Sequence, residues 1–294
     1  MIKYWDRKDG CEKVEKVYGE EAMRWLYSTK MGSFFTGVAT SHWVSRIYGA
    51  LQSSSMSQKK IKPFIKNFEI DMSLYEEENF TSFNDFFIRK FKPGQRSFVS
   101  DAEVLPAFAE GRYLGFEKIT PDLRFPVKGS FLSALALTGD LNVAKDFHNG
   151  PLLIARLCPV DYHRFHYPDE GLTAKVYRLS GDLYSVNPVA LERKSDIFAS
   201  NERVVSILET KNFGKLAYIE VGATMVGRIV QSYEPQSFKR GDEKGYFLFG
   251  GSTVILMGQP GKWVPDADIL SRTSNQMETL LRLGESVAHK IVGK

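Results

Sequence analysis

Between Val104 and Met257 the chain breaks into short apolar runs divided by Gly, Pro, Asn and Asp, and this feature limits the fold more than any other. Leu152-Leu153-Ile154-Ala155, Leu216 to Val221, Met225 to Val230 and Tyr246 to Phe249 are strand signals at close spacing, and they predict a β-rich barrel or sandwich. The stretch before it reads as helical. Ser41 can cap a helix in which Val44, Ile47, Tyr48 and Leu51 share one face, and Phe83, Phe86, Phe87 and Phe91 recur at helical intervals up to Pro93-Gly94. The fold class expected is α+β, with N-terminal helices followed by a β-rich, barrel or sandwich-like catalytic domain. Three regions follow from this: a helical, basic and aromatic one over 1–100, the β-rich domain over 101–262, and a helical tail over 263–294. The apolar face of the tail would be Met277, Leu280, Leu281 and Val287.

At 294 residues the chain can bury a substantial core, and 43% apolar with 25% charged residues is ordinary for a globular protein. Two cysteines, Cys11 and Cys158, cannot build a disulfide framework, which favours a reducing compartment. No run of about 20 apolar residues offers a membrane span, and Met1 to Lys16 alternates acids and bases, unlike a signal peptide. The net charge of +4 is unevenly spread: Ala22 to Phe68 has no Asp or Glu but seven bases and eight aromatics. Such a stretch suits an anionic membrane surface; nucleic acid would also be attracted, and a helical face with solvated lysines is the plain alternative.

Three groups of residues could carry chemistry. Gly250-Gly251-Ser252-Thr253 lies between two apolar runs and can be a bulge or bend in a buried strand. It can also be a place where a Ser hydroxyl, helped by a base, attacks the glycine carbonyl before it. Elimination would then release the upstream chain and leave a pyruvoyl group. Cys158-Pro159-Val160-Asp161-Tyr162-His163-Arg164-Phe165-His166 puts two histidines three apart after a strand. Extended backbone sends them to opposite faces, whereas a turn brings them together. They can be ordinary loop histidines, or zinc ligands with Cys158 and one distant acid, although the spacing fits no common zinc signature. Glu110-Gly111 can be a surface turn, or can supply the carboxylate that orients a histidine.

Taken together these segments resemble the phosphatidylserine decarboxylase family. The resemblance runs from about Phe83 to Met257 through Phe83-Asn84-Asp85-Phe86-Phe87-Ile88-Arg89, Val127-Lys128-Gly129 with Leu132-Ser133-Ala134-Leu135, Asp161 to His166, Tyr184 to Pro188, Asn201-Glu202-Arg203, Val221 to Thr224 and Gly251-Ser252-Thr253. It implies autocatalytic cleavage between Gly251 and Ser252, with Ser252 becoming a covalent pyruvoyl cofactor at the start of a short fragment. His166 would be the base for cleavage and His163 the proton donor in decarboxylation. The acid, an Asp before Gly in the family, would here be Glu110, two residues further from Pro106; Gly250 stands where many members have Leu. The resemblance also implies conversion of phosphatidylserine to phosphatidylethanolamine, no metal, a homo-oligomer, and no role for nucleic acid. With a phospholipid substrate, the basic aromatic stretch gains a purpose in docking to an anionic membrane surface, as a peripheral protein on the cytoplasmic side of the cell membrane.

A pyruvoyl ketone answers a chemical need. Decarboxylating an amino acid leaves electrons on its α-carbon that no ordinary side chain absorbs, and a Schiff base to a ketone conjugated with an amide can. Two other classes stay open from the residues alone: a zinc-dependent hydrolase using Cys158, His163 and His166, and a non-enzymatic module that tethers partners at a membrane.

Overall fold

The computed structural model describes residues 2–16, 42–77, 79–120, 132–186, 196–223, 228–232, 236–250 and 252–291. Its strands are β1 (Lys3–Asp6), β2 (Cys11–Val14), β3 (Val104–Pro106), β4 (Gly111–Phe116), β5 (Leu152–Leu157), β6 (Arg164–His166), β7 (Gly171–Leu179) and β8 (Arg203–Thr210). They continue as β9 (Gly214–Val221), β10 (Ile229–Gln231), β11 (Ser237–Phe238), β12 (Glu243–Phe247), β13 (Ser252–Gly258), β14 (Trp263–Pro265), β15 (Glu278–Leu281) and β16 (Ser286–Lys290). The helices that matter for the site are α1 (His42–Gln52), α2 (Ile61–Phe68) and α3 (Phe83–Phe87).

Ten strands form one sheet in the order β11-β7-β8-β9-β13-β5-β4-β15-β1-β2, and two three-stranded sheets run β10-β12-β6 and β14-β16-β3. The fold is α+β, as the sequence predicts, but the sheets are open and do not close into a barrel. In the middle of the large sheet β13 has every residue buried and pairs antiparallel with both β9 and β5. That explains why its Val254 to Met257 form a continuous apolar run and not an alternating one.

Two segments differ from the helical expectation. Lys3 to Val14 is a hairpin, and Glu278 to Leu281 and Ser286 to Lys290 are strands. Within the expected tail only Ala267–Ser274 is helical. The apolar positions 280, 281 and 287 fit a helical face, yet their carriers are short strands buried by pairing: β15 is inserted between β4 and β1, and β16 pairs with β3 and β14. Thus strands from the first, middle and last segments share one sheet. Helix α1 does begin just after Ser41, but Ile47 and Leu51 on its apolar face are exposed. Residues 17–41, which include the first part of the basic aromatic stretch, from Ala22 to Ser41, lie outside the described residues, as do Val127 to Gly129, Asn187-Pro188, Thr224 and Gly251.

Candidate active site

The pairing of β13 with β5 sets Ser252 opposite Leu157, so the first residue of one strand lies beside the last residue of the other. The loop leaving β5 therefore brings Cys158 to His163 to the same end of the sheet as Ser252. This loop is held by two bonds: Asp161 N–H donates to the Cys158 carbonyl at 2.8 Å, and Cys158 N–H donates to the Asp161 carboxylate at 2.6 Å. From the other side, Phe247 N–H at the end of β12 donates to the His163 carbonyl at 2.9 Å. The Gly-Gly pair is thus in the connection from a strand of the small sheet to the central strand of the large one.

Helix α3 closes this end. Ser82 caps it by accepting from Asp85 N–H, and the short helix presents Phe83, Phe86 and Phe87 inward, all buried. The Phe87 ring lies 3.8 Å from the His163 ring, centroid to centroid, and 5.0 Å from Phe249. Asn84 Oδ1 accepts from Phe249 N–H at 2.8 Å, while its amide nitrogen donates to Ser53 Oγ at 2.9 Å. Asn84 therefore ties the segment entering the Gly-Gly pair to the N-terminal helices. Gly250 has φ 150°, a conformation that disfavours a Leu side chain and gives glycine at this position a physical reason.

Within this apolar enclosure several polar atoms have no hydrogen-bond partner. Among the described residues, Ser252 is fully buried and its hydroxyl oxygen is unpartnered, as are His163 Nε2 and two nitrogens of Arg89. The state of His163 follows from its other nitrogen. Nδ1 lies 3.0 Å from the Asp161 carbonyl, and a carbonyl can only accept, so Nδ1 carries the hydrogen and a neutral ring leaves Nε2 as a bare lone pair. Burial pushes the pKa of His163 down to about 3, against the pull of the Asp161 and Gly250 backbone, and the Arg89 charge adds to the depression. Here is a neutral imidazole against the Gly250 backbone, at the end of the sheet where the buried Ser252 begins β13.

His166 sits in β6 with different neighbours. Its Nδ1 donates to the Gly241 carbonyl at 2.9 Å, its Nε2 faces the Tyr162 hydroxyl at 3.4 Å, and its ring lies 5.7 Å from Phe98. Burial lowers its pKa as well. Glu110 is bonded to neither histidine: Arg96 donates to both its oxygens, at 2.6 and 2.8 Å, and Leu283 N–H donates to Oε2 at 3.2 Å. The glycine after it is required by the sheet, since a Cβ on Gly111 would lie 2.6 Å from the Arg156 carbonyl oxygen.

Cys158 does not gather with the histidines. Its sulfur accepts from Arg156 at 2.9 Å, and burial raises its thiol pKa well above the usual value despite the nearby Arg112 and Arg156. Among the described residues no group of three His, Cys, Asp or Glu could hold a metal ion. The zinc reading of Cys158, His163 and His166 thus finds no ligand set.

The sequence reading singled out neither Asn84 nor Arg89 for a role, although both stand in the aromatic segment Phe83 to Arg89. It also missed a buried charge network behind the histidine loop. Arg112 bonds Asp161 at 2.5 Å and pairs with Glu15 at 2.9 Å; Arg156 pairs with Glu15 at 2.7 Å and with Glu278 at 2.5 Å. Glu15 is held down to about 2: burial opposes its ionisation, but the two arginines overcome that cost. No local pattern joins residues 15, 112, 156, 161 and 278; the sheet order does.

Comparison with known proteins agrees with this geometry. The family model described as phosphatidylserine decarboxylase matches residues 83–289, more than half of the chain. The phosphatidylserine decarboxylase proenzyme of Desulfitobacterium hafniense is 43% identical over 298 residues, and that of Clostridium tetani 42% over 297, each covering 100% of both chains. A proenzyme of the same name from Clostridium botulinum is 42% identical over 294 residues, covering 99% of this chain. The chain belongs to the phosphatidylserine decarboxylase family.

Proposed function

We propose that this protein cuts itself between Gly251 and Ser252 and then decarboxylates phosphatidylserine to phosphatidylethanolamine. The observation that carries this reading is the Ser252 hydroxyl, buried and without a hydrogen-bond partner among the described residues, at the family's cleavage position and at the end of the sheet where a neutral histidine meets the Gly250 backbone. A lone hydroxyl in a dry site costs about 1–3 kcal/mol and is retained where chemistry uses it.

In the cleavage, the Ser252 hydroxyl adds to the Gly251 carbonyl and the peptide becomes an ester, the nitrogen taking up a proton. A base then removes the Ser252 α-proton; the Cβ–O bond breaks and its electron pair leaves with the upstream carboxylate. The remaining enamine takes up water and loses ammonia, giving a pyruvoyl ketone. The residues present fit such a group: its position is buried, apolar and free of a competing partner. When formed, the ketone supplies a site for the substrate amine and a sink for the electrons released as carbon dioxide leaves.

For the roles expected from the family, His166 serves as the cleavage base and His163 as the proton carrier in decarboxylation. Contact of His163 with the Gly250 backbone and its free Nε2 favour its place at the reacting atoms. His166 is oriented by the Gly241 carbonyl in the uncut chain; Glu110 takes the orienting role when its pairing with Arg96 opens.

The described part of the N-terminal region supports peripheral membrane docking. Leu51 and Met56 are exposed next to Lys59, Lys60 and Lys62, and no helix among the described residues is long and apolar enough to cross a membrane. The protein acts from the cytoplasmic face of the cell membrane and self-associates in this reading. Anionic vesicles should bind it more tightly than neutral ones, and added salt should weaken that binding; equal affinity for both removes the electrostatic part.

A denaturing gel with intact masses and an assay of carbon dioxide release tests the main reading. Fragments 1–251 and 252–294 are expected, the second carrying a ketone in place of an amine, and Ser252→Ala should yield only the uncut chain. An active enzyme with an unbroken backbone and an unmodified Ser252 refutes it.

A further inference from the structure

Arg89 is an anomaly among the buried arginines. It is 1% exposed, and its guanidinium lies over the Tyr75 and Phe86 rings at 4.4 and 4.9 Å. Nη2 donates to the Val160 and Asp161 carbonyls at 2.9 and 3.3 Å and reaches the Tyr75 hydroxyl at 3.4 Å. Among the described residues Nε and Nη1 have no hydrogen-bond partner. The other arginines of this region are compensated: Arg96, Arg112, Arg156 and Arg164 each pair with a carboxylate. Arg203, which lacks one, uses all three nitrogens on carbonyls. A buried guanidinium with two idle donors and no counter-charge is unfavourable, and the aromatic faces offset only part of that.

Its place gives the anomaly a meaning. The arginine holds the backbone of the loop that carries His163, its charge reaches the His163 ring, and Phe86 beneath it belongs to the aromatic cluster around Phe249. We propose that Arg89 is the carboxylate receptor of the site, its idle Nε and Nη1 donating to a carboxylate handled at the His163 side. This rests on the function proposed above, which passes a carboxylate through this region twice: once when the cut sets free the upstream chain end, and once in the serine headgroup. In the first case Arg89 stabilises the leaving group of the elimination. In the second it tightens substrate binding without speeding turnover, because the charge it holds vanishes as carbon dioxide forms.

The test uses the full chain as wild type, Arg89→Met and Arg89→Lys, in two arms. The first follows fragment formation by intact mass, with hydroxylamine added under denaturing conditions to split any accumulated ester. The second takes cleaved protein whose ketone has been reduced with borohydride, and measures by calorimetry the binding of short-chain phosphatidylserine and of phosphatidylethanolamine, which lacks the carboxylate. If the freed chain end is the ligand, Arg89→Met should form fragments about tenfold or more slowly and accumulate hydroxylamine-labile ester. If the headgroup is the ligand, Arg89→Met should cleave normally but bind phosphatidylserine about tenfold more weakly, with phosphatidylethanolamine unchanged. Arg89→Lys should recover part of the loss in either arm. No change in both arms overturns the proposal, as does equal weakening of the two lipids or an uncut chain that resists hydroxylamine. Collapse of the melting transition in both variants also overturns it, since a purely architectural arginine behaves so. A wild type that is never cut at Gly251 sinks the proposed function instead, and so the two failures are distinguishable.

Discussion

Two buried polar regions lie on either side of the same loop, and they are built in opposite ways. Behind the loop, Arg112 and Arg156 meet Glu15, Glu278 and Asp161 in a network of short ion pairs in which each charge faces an opposite one. In front of it, Ser252, His163 and Arg89 hold donors and acceptors with no partner among the described residues, at the end of the sheet closed by the phenylalanines of α3 and Phe249. Paired charges hold the loop in place. In the proposed function the unpaired groups keep their hydrogen-bonding capacity for atoms that arrive during the reaction, at a cost in stability that the paired side helps to offset.

The sharpest way to break this contrast is on the unpaired side. His163→Ala should leave cleavage intact and lower decarboxylation by about 100-fold or more, whereas His166→Ala should leave the chain uncut; gel and rate assay together separate the two. The reverse pattern exchanges the roles of the histidines. Glu110→Gln, on the same gel, should slow cleavage if its carboxylate serves His166, and an unchanged rate confines it to pairing with Arg96.

On the paired side the effect should fall on stability and not on chemistry. Arg156→Met takes from Glu278 its arginine and leaves Glu15 with Arg112 alone, and should cost about 3–5 kcal/mol in denaturant unfolding while the folded fraction still cuts itself. A loss of cleavage larger than the loss of folded protein would show that the network does more than hold the loop.

The smallest effect expected is a slope with pH. His163 takes up a proton near pH 6.5 when unfolded but only near 3 when folded. Its neutral form therefore favours the native state fully above about pH 6.5, and that contribution declines as pH falls toward 3; His166, also lowered, acts in the same direction. Unfolding measured across this range should give a shallower pH dependence for His163→Gln than for the wild type. Identical slopes would mean that the ring is wetter than its burial implies.

Legibility in the sequence was uneven. Strand runs such as Leu152 to Leu157 and Leu216 to Val221 announced themselves because both faces of those strands are buried. Positions 277–287 misled because residues 280, 281 and 287 fit one helical face, while pairing partners far along the chain make those segments strands. At the site, Ser252, His163 and His166 stood out by residue type and by likeness to a family. Arg89 and Asn84 stood in a segment noted for its aromatics, and nothing in the order of residues says where a side chain spends its donors.

The sequence by itself determined an α+β chain and, by likeness to a family, pointed to the Gly251-Ser252 junction and the side chains proposed to react, because these depend on local pattern and on chemistry each residue carries anywhere. Only the tertiary structure decided that the histidine loop shares an end of the sheet with Ser252, that Glu110 faces Arg96, and that Arg89 has no counter-charge among the described residues. Those are relations between distant segments, fixed by the antiparallel pairing of β13 with β5 and by what the packing leaves without a partner.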